Sequence, residues 1–260
     1  MPPPDAKAEE AALNDGIMPG MAGLLSLERR DDVAVVTLQR PEKRNALSID
    51  LRVELSECFG SLGEDPGVGA VVLTGAPPAF CSGMDTTQFG GDRENRERLV
   101  ETSIACFRAI ANCARPVVAA VNGAALAGGF ALALLCDLRL AAEAASFGFP
   151  ELPRGIPPSY AAARAALPAP VAAELTLTGR LLDADGALRM GIVGAVYPDD
   201  QLMPRAIELA GRIASGPRQA IAETKRRILL DRDRTIGHLF DEEERLLREA
   251  LLGDGPDEAA

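Results

Sequence analysis

The 260-residue chain is poor in the groups on which much enzyme chemistry rests. It has one histidine, His238, no tryptophan and two tyrosines. A single imidazole leaves almost no material for a histidine triad or a histidine metal site. The five cysteines (Cys58, Cys81, Cys106, Cys113 and Cys136) are an odd number without CxxC spacing. That argues against a disulfide framework and against paired zinc ligands. They read as reduced, mostly buried small hydrophobes of a cytoplasmic protein, and no metal is expected. Positive charge is also scarce: 27 Lys and Arg stand against 38 Asp and Glu, a net charge of -11. So acidic a chain lacks the basic face that a nucleic-acid partner would require. No apolar run reaches the roughly 18–20 residues of a membrane span, and no basic n-region with an apolar h-region opens the sequence.

What remains is the balance of a soluble globular protein, 47% hydrophobic and 25% charged. Residues 1–23, rich in Ala, Pro and Gly without periodicity, read as a flexible arm. Val33–Leu38, Ala70–Thr74, Pro116–Val121 and Leu138–Ala141 read as buried strands. Between the first two, Ser48 offers an N-cap to a helix with apolar positions Leu51, Leu55, Phe59 and Leu62. A stripe at Val100, Ile104, Phe107 and Ala111 predicts a second helix, and Gly128 and Gly129 open a third. Strands alternating with helices predict an α/β class built from repeated ββα or βαβ units across residues 24–200. Residues 201–260 read as helical, over roughly 201–215, 217–231 and 236–251. Their apolar positions predict packing on the chain's own core or on a neighbouring subunit. The acidic run Asp241 to Glu244 reads as a solvated face, and residues 253–260 as frayed.

Four segments carry the chemistry. Arg40-Pro41-Glu42-Lys43-Arg44-Asn45-Ala46-Leu47 joins the first strand to its helix. Gly75 to Asp85, with Cys81-Ser82-Gly83-Met84-Asp85 at its end, follows the second strand. Asn122 to Gly129 follows the third, and Phe147-Gly148-Phe149-Pro150-Glu151-Leu152 lies beyond the fourth. Gly83 permits a tight turn that aims the Met84 N–H at a ligand. Gly128 sits at a helix N-terminus, where free N–H groups and the dipole favour an oxyanion. Two such donors converging on one carbonyl oxygen make an oxyanion hole, and removing one donor costs about 3–4 kcal/mol in acyl-transfer enzymes. Glu151, in an aromatic and proline run, is placed to be half-buried with a raised pKa. Ser82 and Cys81 have no histidine to activate them as nucleophiles. Arg154, Ser159 and Tyr160 either shape a pocket or cap the next helix.

In order and spacing, the four segments resemble the crotonase superfamily, the enoyl-CoA hydratase/isomerase enzymes, over about residues 24–250. The resemblance implies a crotonase-like spiral of ββα units, a C-terminal helical trimerisation region and a homotrimer or hexamer. It also implies an acyl-CoA thioester substrate, with no cofactor beyond the coenzyme A that the substrate carries. In that register the Met84 and Gly128 N–H groups hold the thioester oxygen and Glu151 is the catalytic glutamate. Arg44 corresponds to a basic position near the CoA phosphates or adenine, the alternative being a solvated charge beside a helix. Ala46, Ser82, Asp85 and Gly129 fall on substrate- and CoA-binding segments, although an acidic residue such as Asp85 is also a common cap.

The departures bear on the reaction. Hydratases of the superfamily carry a second glutamate three residues after the oxyanion-hole glycine, and here that position is Ala131. Hydration by the two-carboxylate route is therefore not expected, whereas isomerisation needs one base that removes a proton from C2 and returns it at C4. The decarboxylases and hydrolases of the same scaffold, and a weakly catalytic acyl-CoA-binding subunit, are the alternatives. The family's AFxxKR-type last helix has no counterpart here, which with the net charge predicts weak, salt-dependent CoA binding.

Overall fold

Short β-branched runs and amphipathic stretches alternate in the chain, and each takes up the element its period dictates. The computed structural model describes residues 23–252; nearly all of the expected arm, and the expected frayed end, lie outside the described residues. An antiparallel hairpin, β1 (Leu25–Arg30) and β2 (Val33–Leu38), leads to α1 (Ile49–Glu64). Then follow β3 (Ala70–Gly75), β4 (Ala79–Cys81) and α2 (Arg93–Ala111), and β5 (Val117–Val121), β6 (Ala124–Leu126) and α3 (Gly128–Leu135). The third turn is β7 (Leu138–Ala142), β8 (Ser146–Gly148), α4 (Tyr160–Ala166) and α5 (Ala169–Thr178). The chain closes with β9 (Leu182–Asp183), α6 (Ala184–Arg189), β10 (Ala195–Tyr197), α7 (Asp199–Ala214) and α8 (Arg218–Leu252).

Each ββα turn contributes one strand to each of two sheets. The six-stranded sheet runs β1-β2-β3-β5-β7-β10, parallel after the first hairpin, and the four-stranded sheet runs β4-β6-β8-β9. The central strands AVVLTG and VVAAV are buried at every position, as strands covered on both faces must be. The short strands of the second sheet escape a periodicity reading because three residues are too few to show alternation. Ser48 caps α1, accepting from the Leu51 N–H at 3.2 Å. Asp183 caps α6, accepting from Gly186 at 2.7 Å.

The segment after residue 200 is built into the same molecule. Ala206, Ala210 and Ala214 of α7 form a small-residue stripe that lies on the outer face of the large sheet, against Val33, Val72 and Val118. Ile207, Leu209 and Ile213 are half-buried around it, so the chain's own sheet takes up this apolar face. Beyond it, α8 is one continuous helix where the sequence predicts a break near residue 231. Asp231 to Thr235 are polar but contain neither Gly nor Pro, and the Arg232 in their midst is buried. The Lys225 ammonium, 2% exposed, meets both Asp137 oxygens at 2.8 and 2.6 Å, and Arg232 reaches the same carboxylate at 3.2 Å. Asp137 also accepts from the Val117 N–H at 2.8 Å, which fixes α8 to the start of β5.

Candidate active site

The loops that follow β2, β3 and β5 converge because small residues and one amide clamp let their backbones touch. Asn45, fully buried with φ +54°, donates to the carbonyls of Ala76 (2.8 Å) and Ala79 (2.7 Å) and accepts from the Arg40 N–H (2.9 Å). It ties the first loop to the second. Along that seam the Ser82 N–H donates to Arg44 O, Leu47 N–H to Gly83 O (2.8 Å) and Asp85 N–H to Leu47 O (3.2 Å). The Leu47–Met84 bridge is parallel. It uses the groups flanking Met84, so the Met84 N–H turns to the opposite side.

Beside Gly83 lies the N-terminus of α3. Gly83 has φ +96°, and a Cβ there would stand 2.8 Å from Ala127 Cβ and 3.3 Å from the Gly128 nitrogen. The Met84 and Gly128 turns are thus in direct contact, and both residues line one cavity of about 630 Å³. Ala127, which precedes the helix, holds φ +52° and ψ -125°. That conformation suits glycine and stores strain next to Gly128.

Glu151 enters the cavity from the loop after β8. Phe130 of α3 packs on Phe147 and Phe149, with centroids 5.7 and 4.9 Å apart, so the helix that starts at Gly128 and the segment that carries Glu151 are braced together. Burial raises the Glu151 carboxyl to about 7, against smaller lowering effects from its own backbone N–H and the Arg154 charge. Its Oε2 is buried without a hydrogen-bond partner.

Of the other candidates from the sequence, Arg44, Ala46, Ser82 and Asp85 line the same cavity. Arg44 stands exposed, on a residue with φ +50°. Ser82 reaches only the Lys43 carbonyl, at 3.3 Å. Asp85 is 6% exposed and committed: it pairs with Arg40 at 2.9 Å and accepts from Thr87 N–H and Oγ1 at 3.2 and 2.6 Å. Burial pushes its carboxyl up, but the Thr87 and Arg40 hydrogen bonds hold it below the usual range. Gly129 is not among the cavity residues. A Cβ on it would fall 2.1 Å from the Cys81 carbonyl oxygen, so its place is close packing of α3 on β4. Cys81 is buried and its thiol is pushed up to about 12, which leaves no nucleophile there. Ser159 does two things at once, capping Ala162 N–H at 3.1 Å and lining the cavity. Ala131, fully buried, also lines it.

Sequence reasoning passed over one whole wall. Ile104 and Phe107 of α2 and Phe240, Leu246 and Leu247 of α8 all line the cavity, and Glu243 lies among the latter. The acidic run 241–244 is therefore not one solvated face. Asp241 pairs with Arg108 at 2.6 Å, Glu244 with Arg248 at 3.1 Å, and Glu243 turns inward. The signal was present, since residues 240, 243 and 247 share a face of a 3.6-residue helix. A lone acidic residue in that stripe masked it.

Residues 28–251 match the enoyl-CoA hydratase/isomerase family model. A crotonyl-CoA hydratase of Syntrophomonas wolfei is 36% identical over 206 residues, 76% of this chain and 78% of that protein. Among solved structures, a monofunctional enoyl-CoA isomerase from M. smegmatis is 37% identical with a TM-score of 0.69, covering 82% of this chain and 95% of that one. An enoyl-CoA hydratase/isomerase from Mycobacterium paratuberculosis is 27% identical with a TM-score of 0.84, covering 91% and 96%. The two-sheet ββα spiral, the paired turns at Met84 and Gly128 and these likenesses lead to one assignment: the chain is an enzyme of the enoyl-CoA hydratase/isomerase family, within the crotonase superfamily.

Proposed function

We propose that the enzyme isomerises enoyl-CoA thioesters, moving a double bond from C3 to C2 with Glu151 as its only acid/base. The observation that carries this reading is the state of the carboxylates in the cavity. Four line it among the described residues: Glu42, Asp85, Glu151 and Glu243. Glu42 is exposed at the mouth. Asp85 is held by Arg40 and Thr87, and Glu243 by Ser159 and Ala161. Glu151 alone presents a buried oxygen with no partner, and Ala131 offers no second carboxylate on α3.

The Met84 and Gly128 N–H groups receive the thioester oxygen as C2 is deprotonated and negative charge moves onto it. Ionised Glu151 takes the C2 proton, giving a dienolate, and returns it at C4 as the double bond forms between C2 and C3. Protons and electrons balance with these groups and the thioester alone. Lys43 and Arg44 at the mouth supply cations for the CoA phosphates against the protein's net charge. A subunit assembly of trimer or hexamer type fits the exposed Leu177 and Leu181, 74% and 54% accessible. The test is a turnover screen of 3-enoyl-, 2-enoyl-, malonyl-type and saturated acyl-CoA thioesters. Conversion of 3-enoyl to 2-enoyl thioesters well ahead of hydration supports the reading. Loss of carbon dioxide from a malonyl-type thioester, or release of free CoA, points to the decarboxylase or hydrolase alternatives instead.

A further inference from the structure

One wall of the cavity comes from α8, beyond the turns that Lys225 and Arg232 fix to Asp137. The C-terminal half of α8 brings Phe240, Leu246 and Leu247 to the cavity, which Ile104 and Phe107 of α2 also line. A carboxylate interrupts this apolar stripe at Glu243. Its Oε2 accepts from Ser159 Oγ at 2.8 Å and its Oε1 from the Ala161 N–H at 2.7 Å. The Tyr160 N–H also bonds to it. Those donors are the cap and first turn of α4, groups that no helical partner can satisfy. Glu243 thus closes the start of α4 from a residue more than eighty positions away, and it pins α8 in doing so. The other charged ties of this segment to α2, from Arg108 to Asp241 and to Glu244, lie nearer the surface, where such pairs contribute little.

We propose that Glu243 is a specificity-determining residue: by clasping the start of α4 it holds Phe240, Leu246 and Leu247 as the wall against which the acyl tail packs. This rests on the acyl-CoA reading above. The reacting carbons C2 to C4 lie at Met84, Gly128 and Glu151, so a short chain ends before the α8 wall and a long one runs along it. The clasp then governs KM for long chains and leaves the chemical step alone.

The experiment compares 3-enoyl-CoA thioesters of six and twelve carbons on the full-length enzyme and on Glu243→Ala, Glu243→Gln and Ser159→Ala, with thermal melts to establish that each is folded. Glu243→Ala is expected to raise the twelve-carbon KM about tenfold, the effect of losing burial of about two methylene groups. The six-carbon KM and both kcat values stay within about twofold. Glu243→Gln keeps an acceptor for Ala161 and restores most of the long-chain KM, and Ser159→Ala gives a smaller shift in the same sense. Equal factors at both chain lengths, no change, or a lower long-chain KM overturns the proposal. The same ratio is read without turnover from calorimetric binding of hexanoyl- and dodecanoyl-CoA. An enzyme that binds both but isomerises neither refutes the isomerase reading while the Kd ratio still decides the role of Glu243, and one that binds neither refutes both.

Discussion

Arg40 and Asp85 form an ion pair of 2.9 Å with side chains only 13% and 7% exposed. The Arg40 guanidinium also donates to the Ala46 carbonyl, and Asp85 adjoins Met84. One buried pair therefore locks the turn that carries Met84, the proposed oxyanion-hole donor, onto the loop that lines the mouth. Removing one partner of such a pair leaves an uncompensated buried charge, at a cost of about 3–5 kcal/mol. Arg40→Ala should lower unfolding stability by about that amount in urea titrations near neutral pH. Because the folded Asp85 pKa is depressed, the pair's contribution is present above the unfolded carboxyl value and disappears as pH falls through the folded one. The wild-type and Arg40→Ala curves should converge in acid. A constant gap down to the lowest accessible pH would show that packing, not the ion pair, is what the mutation removes.

Glu151 carries the opposite sign. Its folded pKa of about 7 lies above the ordinary 4.5, so its effect on stability is most favourable below 4.5 and is lost as pH rises towards 7. Glu151→Gln should match the wild type in acid and exceed it by about 3 kcal/mol at pH 8. As a base it must be ionised, so wild-type kcat/KM for a 3-enoyl thioester should rise with pH to a plateau with a midpoint near 7. The same substitution should cut turnover by roughly 10²-fold or more with little effect on thioester binding. A pH–rate profile flat from 5 to 8 would count against the assignment.

How far the sequence was legible varies with the range of the interaction. The capped helix at Ser48, the strands β2, β3 and β5 and the turns at Gly83 and Gly128 are local features, written in a few adjacent residues. The burial of Glu151 was legible from the aromatic and proline run around it, in which Phe149 is itself fully buried. Arg40–Asp85 and Glu243–Ser159 join residues 45 and 84 positions apart, and no periodicity encodes a pairing of that kind. Gly129 illustrates the reverse. Its place in a glycine-rich motif suggests ligand contact, while the space a Cβ would need is taken by the Cys81 carbonyl.

That contact gives the third prediction. Gly129→Ala puts a methyl group 2.1 Å from Cys81 O and 2.8 Å from Cys81 Cβ, against backbone that cannot move aside. A loss of at least about 3 kcal/mol is expected, with activity falling in step with the folded fraction. The neighbouring Ala127→Gly should do the opposite. Relief of φ +52° at a non-glycine residue is worth about 1 kcal/mol after the entropy that glycine adds to the unfolded chain. Urea midpoints of the two variants measure both effects; a destabilised Ala127→Gly would mean that the Cβ packing outweighs the strain.

The last prediction concerns Ala131 and the choice between isomerisation and hydration. Ala131 is fully buried, lines the cavity and lies three residues beyond Gly128, one helical turn into α3. Ala131→Glu would place a second carboxylate there, with Glu151 in the same cavity. If the missing group is what limits hydration, the variant should hydrate crotonyl-CoA at least about tenfold faster than wild type, as positioned acid/base groups contribute 10²–10⁴. Two carboxylates sharing a low-dielectric space cannot both ionise easily, so the variant's pH optimum should lie above that of the wild type. The added volume costs stability, because Ala131 sits in close-packed surroundings, and thermal melts at the assay temperature separate that loss from a chemical one. Loss of the enoyl-thioester absorbance reads the rate in each variant. The outcome that decides most comes from the unmodified enzyme: rapid hydration of crotonyl-CoA with Ala131 in place, undiminished by Glu151→Gln, would mean that another group in the cavity handles the proton.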